Sequence, residues 1–207
     1  MDVFEGWEGY LPKLEANWRT LISPQDTVIL AGDTSWAMKL EDTKTDFAFI
    51  QNLPGQKWLL KGNHDYWWTT ARKMERYLTE NGFDTMHILH NNACMVGDYA
   101  LCGTRGWPFD DTNAQDAKIM AREAGRLRMS LQAGESAQKI AFLHYPPVYP
   151  AGAHSRWWIS CMSLACSNVI TATCTESPSA GLSSAKWMVS ATSWFRRTVC
   201  IFALINL

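Results

Sequence analysis

Four absences limit what this chain of 207 residues can be. No apolar run is long enough to cross a bilayer, so a membrane protein is not expected. No cluster of Lys and Arg stands out against a formal net charge of -1, so neither a nucleic-acid nor a membrane-surface partner is indicated. The six cysteines contain no Cys-x-x-Cys pair. Cys161 and Cys166 lie five apart, but no histidine completes a zinc set, and free thiols are the expectation. The start, Met1 to Glu5, also lacks a basic region followed by an apolar one, so no signal peptide is read and a cytoplasmic location is expected.

What is present is an ordinary globular balance, 47% hydrophobic and 19% charged, in a length that suits one domain. The 11 tryptophans are many for that length, and they are expected in the core or lining a pocket. Trp7, Leu11, Leu14 and Trp18 recur at helical spacing and predict a helix over 7–21. Asp26 to Ala31 is a short apolar run stopping at Gly32-Asp33, which predicts a buried strand entering a loop. A helix is predicted from Ser35 to about Leu53, then a second buried strand at Trp58 to Leu60 that stops at Gly62-Asn63-His64. Another helix is predicted from Tyr66 to about Asn81.

Short strands follow near His87–Leu89, Ala93–Val96 and Tyr99–Cys102, with Gly97-Asp98 as a hairpin turn. A polar helix over 113–133 leads to a third buried strand, Ile140 to Leu143, that stops at His144-Tyr145-Pro146-Pro147. Strand–helix units with polar loops at the strand ends imply an α/β fold. In such folds ligands bind beyond the carboxyl ends of the strands.

Those loops carry Asp33, Asn63, His64 and His144. A carboxylate that can bridge, an amide oxygen and an imidazole are suitable donors for hard or borderline divalent metals. His64, next to Asn63, can instead face a substrate phosphate or protonate a leaving oxygen. Each element has a plainer alternative: Gly32-Asp33 is a common turn, and His144 before Tyr-Pro-Pro could be a core histidine. The quartet Gly62-Asn63-His64-Asp65 directly after a buried strand is harder to explain without partners. His87, His90 and His154 fit no motif.

Gly32-Asp33, Gly62-Asn63-His64-Asp65 and His144 resemble the middle motifs of the calcineurin-like metallophosphoesterases. Ser35-Trp36-Ala37-Met38, His64 to Trp68, Gly103-Thr104-Arg105-Gly106-Trp107 and Leu143 to Pro147 are similar to one bacterial subgroup. The likeness covers about Met1 to Pro150. It implies an α/β sandwich of β-sheets flanked by helices and hydrolysis of a phosphoester substrate by a metal-activated hydroxide. It also implies two divalent ions (manganese, iron or zinc), with Asp33 bridging, Asn63 and His144 on the second ion, and His64 at the phosphate. Arg105 is a candidate contact to the substrate phosphate, with a solvated loop arginine as the alternative.

Two family motifs are lacking. Nothing before Gly32-Asp33 matches the opening Asp-x-His, so the first strand is expected to be lost. No Gly-His-x-His closes the chain. Residues 1–150 therefore read as an incomplete metallophosphoesterase domain, in which one weakly held ion is expected where the family has two. Residues 151–207 read as an irregular, poorly ordered tail foreign to the family. From Ser155 onward the charged residues are Arg156, Glu176, Lys186, Arg196 and Arg197 alone.

The expectation for this tail is a translation shifted by one nucleotide after about Pro150. Across Thr171 to Glu176 the shifted frame permits Gly-His-Leu-His-Gly. Trp157-Trp158-Ile159 is forced to Val-Asp, and Trp187-Met188-Val189 to Asp-Gly. The resulting expectation is a phosphoesterase by family, with a non-catalytic remnant or a binding or scaffold protein as the alternative.

Overall fold

A computed structural model describes residues 9–107, 114–145, 166–171 and 199–202. Its elements are helix α1 (Tyr10–Leu21), strand β1 (Thr27–Leu30), helix α2 (Lys44–Gln51), strand β2 (Gln56–Leu59) and helix α3 (Ala71–Glu80). Strands β3 (Met86–Ile88), β4 (Ala93–Val96) and β5 (Tyr99–Thr104) follow, then helix α4 (Ala114–Ala133) and strand β6 (Gln138–Leu143). Strands β7 (Cys166–Thr171) and β8 (Val199–Phe202) complete the order.

The strands form two sheets of four, ordered β3-β2-β1-β8 and β4-β5-β6-β7. The first is parallel throughout. In the second, β4 and β5 form an antiparallel hairpin while β5, β6 and β7 run parallel. Within the segment expected to be irregular, β7 and β8 are thus extended and paired; the rest of it lies outside the described residues.

Burial on both faces explains the unbroken apolar runs. Successive side chains of a strand point to opposite faces. Along β5 and β6, Leu101, Ile140 and Phe142 turn to the first sheet and meet Ile29 there. Ala100, Cys102, Ala141 and Leu143 turn the other way, against Leu127 and Leu131 of α4. On the outer face of the first sheet, Phe47 of α2 and Met74 and Leu78 of α3 pack with Leu59 and Ile88. Trp18 of α1 joins Val28 and Leu53. Helices therefore cover both outer faces of a two-sheet sandwich, the expected α/β architecture. Cys94 is free and buried, as expected of the thiols, and Cys102 is buried too.

Two helix starts differ from the sequence reading. Ser35 to Lys39 is not helical; a turn of 3-10 helix, Leu40–Thr43, comes first and α2 begins at Lys44. Tyr66 to Thr70 is also non-helical, and α3 starts at Ala71, where the Thr70 side chain caps Lys73 N. Both displaced stretches are tied to Asp65, which accepts from Ser35 N at 3.4 Å and from the Trp67 indole at 3.1 Å. At Ser35 it is a backbone donor that is committed to this distant carboxylate, and at Trp67 it is the side chain that is tied back to it.

Candidate metal centre

β1 and β2 are adjacent and parallel, so their following loops emerge side by side. Gly32 and Gly62 allow these loops to touch. A Cβ on Gly62 would stand 2.0 Å from Asp33 Oδ1 and 2.3 Å from Asp33 N, and one on Gly32 would stand 2.6 Å from both Gly62 Cα and His144 Nδ1. Asp33 itself has φ +57°, a left-handed conformation uncommon for a residue with a side chain.

Asp65 holds that conformation in place. Its carboxylate is almost fully buried, 1% exposed. Oδ2 accepts from Gly62 N at 2.7 Å and Asp33 N at 2.8 Å, while Oδ1 accepts from Thr34 N at 2.8 Å and the Trp67 indole. One side chain thereby ties the loop after β1 to the loop after β2. Burial pushes its carboxyl above the ordinary range, against the opposing pull of hydrogen bonds from Gly62, Asp33 and Ser35. Sequence reasoning quoted Asp65 in a motif but gave it no role.

His144 follows β6 and reaches across from the second sheet. Its Nδ1 lies 2.9 Å from the Ala31 carbonyl, which can only accept, so Nδ1 carries the proton. Nε2 is the ring nitrogen left to face the site. It faces Asn63 Oδ1 at 2.6 Å and Asp33 Oδ2 at 3.7 Å. The structure thus brings together the three residues expected to bind metal. An imidazole whose far nitrogen donates to a backbone carbonyl is the usual arrangement of a metal-bound histidine. An imidazole nitrogen, an amide oxygen and a carboxylate oxygen gathered at these distances are donors whose chemistry fits one divalent ion.

They do not supply a full second set. Among the described residues no group of three or more His, Cys, Asp and Glu side chains converges. Asp33 and His144 are the two such side chains here, and Asn63 adds an amide oxygen.

His64 is held by its backbone, with its N donating to Asp33 Oδ1 at 2.8 Å. Its exposed ring packs instead between aromatic neighbours, 6.2 Å from the Trp36 ring and 6.0 Å from that of Tyr66. Lys61, just before the quartet, has its ammonium pKa lowered by burial first and then by the charges of Arg105 and Arg126.

Arg105 follows β5, and its carbonyl accepts from Tyr145 N at 2.9 Å, which sets it beside the loop of His144. Its guanidinium lies 3.6 Å from Glu123 and over the Trp107 ring at 4.8 Å. Glu123, buried on α4, also receives Thr104 Oγ1 at 2.7 Å and Arg126 at 2.5 Å. Sequence reasoning missed Glu123, since one carboxylate in a polar helix carries no signal of burial. His87 binds Gln56 Oε1 at 2.8 Å and His90 packs near Trp68, both away from the three donors' hydrogen bonds. His154 lies outside the described residues.

A family model for calcineurin-like phosphoesterases matches residues 2–165. The chain belongs to the calcineurin-like phosphoesterase family. The family's general chemistry, metal-dependent hydrolysis of phosphoesters, agrees with the donor set described above. Solved structures agree at the level of this phosphoesterase fold. One aligns with TM-score 0.51 and 13% identity, covering 81% of this chain and 80% of that chain. Another, TT1561 of Thermus thermophilus, aligns with TM-score 0.50 and 16% identity, covering 81% of this chain and 77% of that chain. At such identities the likeness speaks for the fold alone. No curated protein matches the chain. Among the described residues no helix is long and apolar enough to cross a membrane.

Proposed function

We propose that this chain binds a divalent cation, manganese, iron or zinc, through Asp33, Asn63 and His144 and hydrolyses a phosphoester held beside it. The observation that carries the reading is the convergence of Asn63 Oδ1 and Asp33 Oδ2 on His144 Nε2, three groups from three strand-end loops. A bound cation there would offset charge on the phosphate and raise the acidity of a coordinated water. The chain's own residues divide the remaining work. His64, fixed through its backbone and with its ring exposed, donates a proton to the leaving oxygen as water adds to phosphorus and the phosphorus–oxygen bond breaks. Arg105 contributes guanidinium hydrogens to the phosphate, in competition with Glu123.

The test is hydrolysis of bis(p-nitrophenyl) phosphate with added manganese. Activity is expected in the wild type, and Asp33→Asn and His64→Ala should each lower it at least about a hundredfold, the scale of one acid–base group. A flat baseline in the wild type, with manganese still bound in a calorimetric titration, would favour a binding or scaffold role. The described donors favour that second reading to one extent: they provide for a single ion, and the two-ion site is assigned by family alone.

We further propose that residues after about 150 are translated in a shifted frame. β7 stops at Thr171, in register with Leu143, the residue before His144. The shifted frame permits Gly-His-x-His across 171–176, beginning at the last residue of that strand. The gene's nucleotide sequence decides it, since a shifted frame without Gly-His-x-His sinks the idea.

A further inference from the structure

Large side chains are exposed beside His64. Trp36 is 53% exposed and Tyr66 59%, and both rings neighbour the His64 ring. The Tyr66 hydroxyl lies 3.5 Å from His64 Nδ1, so it reaches the edge of the imidazole. Trp36 also lines, together with Asp33, a cavity of about 430 Å³ between α1 and α2. Exposed tryptophan with apolar neighbours is an uncommon surface, and such patches mark places where ligands or partners dock. This one is placed by the same loops that place Asp33 and His64.

We propose that Trp36 and Tyr66 form a stacking subsite for a planar aromatic group carried by the substrate, on the leaving-group side of the scissile bond. The inference rests on the placement of His64 at the leaving oxygen. A group bonded to that oxygen is held beside the imidazole, whose ring neighbours Trp36 and Tyr66 are both more than half exposed. Rings bind rings by offset or edge contact and gain more than equal apolar area alone provides. A phosphoester with an aryl or nucleobase-bearing leaving group is therefore selected over one with a flexible alkyl group.

The test compares ligands of equal carbon count. Phenyl phosphate and n-hexyl phosphate are titrated calorimetrically into the full chain loaded with manganese. Phenyl phosphate is expected to bind about three- to tenfold more tightly. Trp36→Ala and Tyr66→Ala should each shrink that ratio toward one, while Trp36→Phe and Tyr66→Phe, which keep a ring, should preserve it. Equal binding of the two ligands by the wild type overturns the aromatic subsite and leaves the phosphoesterase reading standing. A ratio that survives in Trp36→Ala and Tyr66→Ala overturns it as well. Binding of neither ligand to the loaded protein counts against both readings.

Discussion

Asp65 accepts backbone hydrogen bonds from both loops that carry the candidate ligands, so its substitution should be felt in two measurements that respond separately. Asparagine is nearly isosteric, but its amide nitrogen would face backbone N–H groups that now meet an oxygen. Leaving buried donors unpaired costs about 1–3 kcal/mol each. Asp65→Asn is expected to lower unfolding free energy by about 2–4 kcal/mol in urea titration. It should also weaken manganese binding about 10- to 100-fold, as loss of a partner behind the ligands usually does. Unchanged affinity in a folded Asp65→Asn protein would show that Asp33 keeps its left-handed backbone without this carboxylate. The candidate site residues were legible in the sequence because Asp33, Asn63, His64 and His144 each sit where an apolar run stops. Asp65 was not, because an aspartate that organises donors and one that faces solvent are written the same way.

At the scale of elements, strands were easier to read than helix starts. A run such as Val28-Ile29-Leu30 or Ile140 to Leu143 is buried on both faces, and its apolar character survives any local change. The start of a helix depends on where backbone donors find acceptors. Here Ser35 N finds Asp65 far along the chain, and the Trp67 indole finds the same carboxylate close by. Nothing periodic in the sequence reports such a bond. β2 holds a further departure in Lys57, whose ammonium is buried and donates to the Leu53 carbonyl at 2.6 Å, near the end of α2. Burial lowers its pKa to about 8.

The folded state then binds fewer protons than the unfolded state between that value and the ordinary lysine pKa. Stability should therefore rise with pH across that window, and below it the buried charge is a standing cost. The slope contributed by one group is at most about 1.4 kcal/mol per pH unit. Denaturation curves between about pH 8 and 10 should show it, and Lys57→Met should flatten it. A wild-type curve with no rise attributable to Lys57 would mean that its carbonyl partners restore the charged form.

Across the whole molecule, the candidate centre joins the two sheets. Asp33 and Asn63 come from loops of the first sheet, whereas His144 comes from the second. A cation shared among them links the layers in the folded chain and has no such set in the unfolded one, so binding should stabilise the sandwich as a unit. At a free concentration about 100 times its dissociation constant, a ligand specific for the folded state adds about 2.7 kcal/mol. For a chain of this size that corresponds to a rise in melting temperature of about 5–10 °C. Scans with manganese and with EDTA should differ by that amount, and His144→Ala should remove the difference although it leaves both loops of the first sheet intact. His64→Ala should keep it, since the His64 ring packs with Trp36 and Tyr66 rather than joining the three donors. A shift that persists in His144→Ala would place the cation elsewhere. No shift in the wild type would count against a cation held by these three residues.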